Sequence, residues 1–251
     1  RKQLEQAESN FNYDVTLANS LKDRDVILGY VFRHSGASPS GHLPQALNVP
    51  GMDLTRQGLL PLQSSYTGNI ALLQQATPYG GFFTSSSDDD GVIRRTPLVM
   101  RHGNDLYASL SLEAARLYLL HDEIGIRTQF VGDTETLDAI TLGKIQIPVD
   151  GDGNVLIPFH GLAGTFPYLS ATDVLSKKIG QEQLENRIVF IGTSATGLVD
   201  LRSTPVSKDY PGVEVHANIV AGILDGQFHS EPAWSTGANV TLLVVAGLLL
   251  S

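Results

Sequence analysis

The stretch from Arg187 to Gly226 constrains the fold of this chain more than any other. It begins with a short run of branched and aromatic residues, Ile188–Ile191, which Gly192 ends; such a run is typical of a buried strand. A polar loop follows, and apolar residues then recur at positions 213, 217, 220, 223 and 224, the spacing of one helix face. In open α/β sheets, ligands bind beyond the carboxyl ends of such strands. We therefore expect this loop to line any site that the chain has.

Composition limits the classes of protein to which the chain can belong. At 251 residues it can bury the core of one large domain or of two small ones. Its net charge of −9 argues against nucleic-acid binding, which relies on Lys and Arg, so we expect no nucleic-acid partner. The chain has no cysteine, which excludes disulfides, thiolate catalysis and cysteine-based metal sites.

The rest of the chain alternates between strand and helix patterns. Helical spacing predicts an amphipathic helix over residues 2–22, and Ser109 is a good N-cap for a helix over 110–121. Ser170 with Asp173 resembles a capping box that opens a helix to Lys178. Strands are predicted at 25–32, 80–85 and 92–100, and a short helix at 70–76. The clearest hairpin is predicted within residues 141–160, around the turn D-G-D-G-N. The fold class is therefore α/β, a single large domain with a mixed β-sheet and flanking helices.

The last residues differ from the rest of the chain. Residues 240–250 read V-T-L-L-V-V-A-G-L-L-L, with no charge, and Trp234 precedes them. The run is shorter than the roughly 20 apolar residues that a membrane-spanning helix needs. We expect a domain over 1–234 and, over 235–251, the start of a transmembrane helix that the sequence cuts short. The alternative is a buried terminal helix.

The sequence matches two other kinds of site only in part: a serine hydrolase site and a calcium-binding loop. Ser194 lies in G-T-S-A-T-G, which resembles the nucleophile elbow of a serine hydrolase, with His216 and Asp200 as partners. The second glycine comes one residue late, and no helix follows directly. The run D-G-D-G-N lacks the further ligands of a calcium loop, and the seven histidines show no ligand spacing. We predict no catalytic residue, no metal and no cofactor.

Three segments of the chain carry longer motifs in a fixed order and spacing. The first runs from Asp88 to Leu120, with D-G-V-I-R-R-T-P-L and L-Y-A-S-L-S-L-E-A-A-R. The second, Ile145 to Ser170, contains V-D-G-D-G-N-V-L-I-P-F-H-G and F-P-Y-L-S. The third is the opening stretch, with V-F-I-G-T-S-A-T-G-L-V-D and P-G-V-E-V-H-A-N. Together these segments resemble the CHASE type 2 domain (CHASE2), an extracellular sensory module. With a weaker match over 14–32, the resemblance extends to about Trp234.

The resemblance implies an extracytoplasmic sensor domain of a bacterial transmembrane signalling protein, either an adenylate or guanylate cyclase or a protein kinase. It would face the periplasm or the cell exterior and be held in the inner membrane by flanking helices. It would form a homodimer and respond to an unknown small-molecule or protein signal. Two alternatives are a serine hydrolase using Ser194 and a dimerising spacer without a ligand. Seven polar residues are predicted to bind the ligand, or else to pair with one another and fix the loop: Asp90, Arg94, Asp200, Arg202, Glu214, His216 and Asn218.

Overall fold

The computed structural model describes residues 12–33, 38–50, 59–85, 87–193, 200–230 and 235–250. The helices are α1 (Tyr13–Leu21), α2 (Ala71–Gln74), α3 (Leu110–Tyr118), α4 (Ala171–Leu175), α5 (Gly212–Asp225) and α6 (Ser235–Leu250). The strands are β1 (Leu28–Arg33), β2 (Ser65–Thr67), β3 (Gly80–Phe82), β4 (Arg95–Pro97), β5 (Val99–His102), β6 (Asp105–Ala108), β7 (Gly125–Val131), β8 (Thr134–Leu142), β9 (Ile145–Pro148), β10 (Asn154–Leu156), β11 (Leu201–Arg202) and β12 (Tyr210–Pro211). The α/β class is confirmed, although the strands form several small sheets.

The first sheet joins distant parts of the chain. Its order is β2-β1-β3, with β1 antiparallel to β2 and parallel to β3. Tyr30 and Phe32 of β1 are buried against Phe82 of β3 in an aromatic cluster that also contains Met100 and Tyr107. This cluster is the smaller of two apolar cores.

The larger core lies between α3, α5 and the sheet β7-β8-β9. Its fully buried members include Leu112 on α3, Ile140 on β8 and Ile219 on α5. The N-cap prediction for α3 is confirmed, because the Ser109 side chain accepts a hydrogen bond from the Leu112 amide. Helix α5 ends at Asp225 and is capped by Gly226, whose φ of 65° is the left-handed conformation in which glycine is favoured as a C-cap. The N-cap of α3 and the C-cap of α5 therefore define where these two helices begin and end, and most of the candidate site lies on them.

The hairpin prediction within 141–160 is wrong about strand pairing. The turn forms as expected, with the Gly153 amide donating to the Asp150 carbonyl. However, β9 before the turn pairs with β8, whereas β10 after it pairs with β4. The turn therefore passes the chain from one sheet to another. The long hairpin β7–β8, which the sequence analysis did not identify, supplies the partner for β9.

The predicted buried strand at Ile188–Ile191 is also wrong. These residues belong to no described strand, and Val189 and Ile191 are 53% and 96% exposed. Their composition suits a strand, but the described residues offer no neighbouring strand to pair with them. The opening stretch thus contains its helix, α5, but not its predicted core strand.

The predictions for the terminal helices have mixed outcomes. Within the predicted helix 2–22, the structure describes α1, where Ala18 and Leu21 are buried and Val15 is exposed. Residues 1–11 lie outside the described ranges. Helix α4 begins after Ser170, but Ser170 makes no side-chain capping bond, so the capping box does not form. Helix α6 exposes its large apolar side chains, for example Leu249 at 82%. Across the described ranges, no helix is long and apolar enough to cross a membrane.

Candidate functional site

Helix α5 carries three of the seven predicted site residues on successive turns. Glu214 and Asn218 lie one turn apart among the buried residues of the helix, and His216 lies between them and is half-buried. Helical geometry therefore places Glu214 and Asn218 on one face and His216 on another. The three side chains contact different segments of the chain.

Glu214 is buried and holds the loop that follows His160. Its carboxylate accepts hydrogen bonds from the amides of Gly164, at 2.9 and 3.1 Å, and Phe166, at 3.2 Å. The hydroxyl of Tyr168 donates a further bond at 2.8 Å. The pKa of Tyr168 is raised, mainly by burial and to a smaller extent by this hydrogen bond and the charge of Glu214. Four donor contacts and the N-terminus of α5 together stabilise the buried charge.

Asn218 is fully buried and connects three elements. Its amide nitrogen donates to the Tyr210 hydroxyl and to the Glu214 carbonyl, each at 2.8 Å. Its side-chain oxygen accepts the His160 amide at 2.8 Å and lies 3.2 Å from Nδ1 of that ring. Every polar atom of the side chain therefore has a protein partner. This arrangement fixes β12 and the segment after β10 against α5.

His216 contacts α3 on the other face of the helix. Its Nδ1 lies 2.8 Å from the Oγ of Ser111, which is fully buried, and its ring stacks on Phe190 with centroids 6.2 Å apart. Burial, and then the positive charge of Arg202, lowers the pKa of His216 to about 4. The imidazole is therefore neutral at neutral pH.

Asp200 and Arg202 lie where β11 meets the start of α5. The Asp200 carbonyl accepts the Gly212 amide at 2.8 Å, and its carboxylate lies against Gly212, where a Cβ would come within 2.8 Å of it. The Arg202 guanidinium lies 3.3 Å from the Asp200 carboxylate. Asp200 thus occupies the positive end of the α5 dipole.

Asp90 and Arg94 form a separate cluster on the turn before β4. Arg94 makes two hydrogen bonds to the Asp90 carboxylate, at 2.7 and 2.9 Å, and one of 2.9 Å to Asp88. The hydrogen bonds from Arg94, and then from the Val92 amide, lower the pKa of Asp90 to about 2. A backbone bond from Ile93 to the Ser203 carbonyl joins this turn to the strand that carries Arg202.

The seven predicted residues therefore form two groups. The structure brings Asp200, Arg202, Glu214, His216 and Asn218 to one helix and the strand beside it, and it places Asp90 and Arg94 together on another turn. Sequence reasoning missed four partners that complete the first group: Ser111, His160, Tyr168 and Tyr210. A signal for Ser111 was present in part, because a serine inside an apolar helix face needs a hydrogen-bond partner.

The chemistry available to these residues is hydrogen bonding. The Ser111 Oγ is buried and bonded to a neutral imidazole, and the serine proposed as a nucleophile, Ser194, lies outside the described residues. Within the ranges that the structure describes, no cluster of three or more His, Asp or Glu residues has the geometry to hold a metal ion.

These features define an α/β domain whose polar residues are paired around one helix. The family model of the CHASE2 domain matches residues 2–251, and the chain therefore belongs to the CHASE2 family. CHASE2 is a family of extracellular sensory domains without catalytic activity, so the chain is a sensory domain. No curated protein and no solved structure shows a significant match to the chain.

Proposed function

We propose that the chain is the extracytoplasmic sensor domain of a bacterial transmembrane signalling protein. Membership of the CHASE2 family supports the sensory role. The domain would face the periplasm or the cell exterior and be attached to the inner membrane. Its output would be an adenylate or guanylate cyclase or a protein kinase, working as a homodimer.

The observation that carries the membrane part of the proposal is the surface of α6. Its 16 residues include no charged side chain, and its leucines and valines from Val240 to Leu250 are 49–89% exposed. Water is a poor environment for such a helix, whereas lipid hydrocarbon suits it. At 1.5 Å per residue α6 is about 24 Å long, close to the roughly 30 Å of the hydrocarbon layer. We infer that α6 inserts into the membrane.

Helix α5 is the element suited to transmit a signal towards α6. It carries Glu214, His216 and Asn218, and α6 begins soon after its end. A small molecule or protein that competes for the Glu214 or His216 contacts would favour a second position of the bonded segments. Movement of α5 would then reach the membrane-inserted helix.

Membrane attachment is tested by cell fractionation and by externally added protease. We expect the protein to remain with the inner membrane after carbonate washing and to be cleaved only when the outer membrane is permeabilised. Replacing Leu243 and Leu249 by Lys should release it from the membrane. Phe130→Lys, a change at an equally exposed apolar side chain on β7, should not. Wild-type protein that is fully released by carbonate would contradict the proposal.

A second candidate function is a dimerising spacer that binds no ligand. It is favoured by the hydrogen bonds of the seven polar residues, each of which pairs within the chain. The two functions differ in the effect of Arg202→Gln in the membrane-bound full-length protein. A sensor whose site includes Arg202 should show an altered output rate with unchanged thermal stability. A spacer should show the same output rate as the wild type, again with unchanged thermal stability.

A further inference from the structure

The segment 188–191 has the exposure pattern of a strand with one face uncovered. Ile188 and Phe190 are half-buried, whereas Val189 and Ile191 are 53% and 96% exposed. Phe190 stacks on His216, and Gly192 lies so close to α5 that a Cβ would come within 2.8 Å of Val213. Alternation with a period of two is typical of a β-strand. The inner face lies on α5, and the outer face carries two branched apolar side chains.

The backbone of this segment is also open. Among the described residues, none makes a main-chain hydrogen bond to residues 188–191. Exposed main-chain donors and acceptors beside apolar side chains are the features through which strand edges join another chain. An edge of this kind is normally protected by charge, but no residue from 188 to 193 is charged.

The charge of the surrounding segment favours a second copy of the chain as the partner. Residues 161–193 carry three basic side chains and three acidic ones, so their net charge is zero, and the −9 of the chain resides elsewhere. Two copies repel each other least where they are neutral. None of residues 161–193 is buried, although the segment contains many apolar side chains. A neutral, apolar surface on an acidic domain is therefore the most favourable place for self-association.

We propose that two copies of the chain pair antiparallel through residues 188–191. This inference rests on the proposal that the sensor works as a dimer. With Phe190 at the symmetry axis, Val189 lies opposite Ile191 of the second copy, and Arg187 lies opposite Thr193. This register places no like charges opposite each other. The five residues 188–192 that pair in this register bury far less than the roughly 800 Å² per partner of a standard interface. In the proposed dimer, three exposed leucines of residues 161–193 supply further apolar area: Leu162, Leu169 and Leu175.

The first test is the oligomeric state of Ile191→Asp in detergent with α6 intact, measured by light scattering. We expect the wild type to be a dimer, and we expect Ile191→Asp to weaken dimerisation at least about tenfold because it buries an unpaired carboxylate. The matched control is Phe130→Asp, whose side chain is 73% exposed on β7, and it should dimerise like the wild type. Circular dichroism should show that both variants are folded.

The second test uses the absence of cysteine from the chain to measure the register. Val189→Cys and Ile191→Cys chains are oxidised separately and as a mixture in membranes. The mixture should form several times more disulfide-linked dimer than either chain alone, because only unlike positions lie opposite each other.

Each contrary result has a distinct meaning. A monomeric wild type would overturn the dimer proposal itself. A dimer that Ile191→Asp leaves unchanged would overturn only this interface, and equal cross-linking in all three samples would overturn the register. Unfolding of Ile191→Asp would show that this side chain packs within the chain's own fold, and it would overturn the exposed face on which the interface depends. Cross-linking of the Ile191→Cys chain only to another protein species would show that a different partner covers the segment.

Discussion

The Nδ1 atom of His216 lies 2.8 Å from the Oγ of Ser111, and this bond joins α5 to α3 beside the larger core. Ser111 is fully buried and its neighbours on α3, Leu112 and Ala115, pack in the same core. Two polar atoms in such surroundings each have the other as their partner. The pair therefore specifies how the two helices are aligned, because a shift of either helix would leave both atoms unsatisfied.

Ser111→Ala tests the value of this bond. The substitution leaves the His216 Nδ1 without its partner, and we expect the free energy of unfolding to fall by about 1–3 kcal/mol. Urea unfolding at pH 7 measures the change. Ser176→Ala, at an exposed serine after α4, is the control and should change stability by less than about 0.5 kcal/mol. Equal stability of Ser111→Ala and the wild type would show that the bond adds nothing.

The pKa of His216 predicts how stability depends on pH. Its value is about 4 in the folded chain and 6.5 in the reference state, so the unfolded chain takes up the proton first as the pH falls. Above about pH 7 the His216 imidazole should therefore not change how the free energy of unfolding depends on pH. As the pH falls from 6.5 to 4, it should lower the free energy of unfolding progressively. The loss is at most about 3 kcal/mol, at 1.36 kcal/mol for each unit of pKa shift.

Urea unfolding between pH 4 and pH 7 measures this effect against two variants. His216→Asn keeps a polar atom near the position of Nδ1 but cannot titrate, so its stability should depend less on pH in that range. His229→Asn removes an exposed imidazole and should behave like the wild type. A pH dependence that is the same in all three proteins would show that His216 is not the group responsible.

Local signals in the sequence predicted local features of the fold. The Ser109 cap, the turn at Asp150 and the helix over 212–225 follow from side chains a few residues apart. The pairing of β9 and β10 did not follow, because a turn does not reveal which strands its arms join. The exposure of Ile188–Ile191 could not be predicted either, since an apolar run indicates a strand without showing what covers it.

The residues of the candidate site also fall into those that the sequence identified and those that it did not. Glu214, His216 and Asn218 were identified because the motif P-G-V-E-V-H-A-N, which carries part of the resemblance to CHASE2, contains them. Their partners were missed because Ser111 is 105 positions from His216, and Tyr168 is 46 positions from Glu214. Neither partner belongs to a local motif. Only the tertiary fold brings these pairs together.

Glu214→Gln tests whether this carboxylate holds the loop at residues 164–168. The amide nitrogen of Gln cannot accept a hydrogen bond, so one of the two Gly164 contacts is lost, and the Tyr168 hydroxyl must accept where it now donates. We expect faster hydrogen exchange at the Gly164 and Phe166 amides and a stability loss of about 1–3 kcal/mol. Mass spectrometry of exchanged peptides measures the first effect.

Tyr168→Phe is the matched variant for the same loop. It removes one donor and leaves the Glu214 carboxylate hydrogen-bonded to the Gly164 and Phe166 amides. Hydrogen exchange at the Gly164 amide should therefore rise less than in Glu214→Gln. If exchange in the loop is fast in the wild type and unchanged in both variants, the carboxylate does not hold the loop.

Gly81 of β3 tests how closely the first sheet and α3 are packed. A Cβ at this position would meet the backbone of Leu110, including its nitrogen at 2.6 Å, and backbone atoms cannot move aside as a side chain can. Gly81→Ala should therefore separate β3 from the start of α3 and cost about 1–3 kcal/mol or more. The control is Gly151→Ala, where the nearest atom is the Thr136 Cβ at 3.9 Å, and its stability should change by less than about 1 kcal/mol. Thermal unfolding of both variants measures the difference. Gly81→Ala with wild-type stability would show that β3 and α3 are not in such close contact.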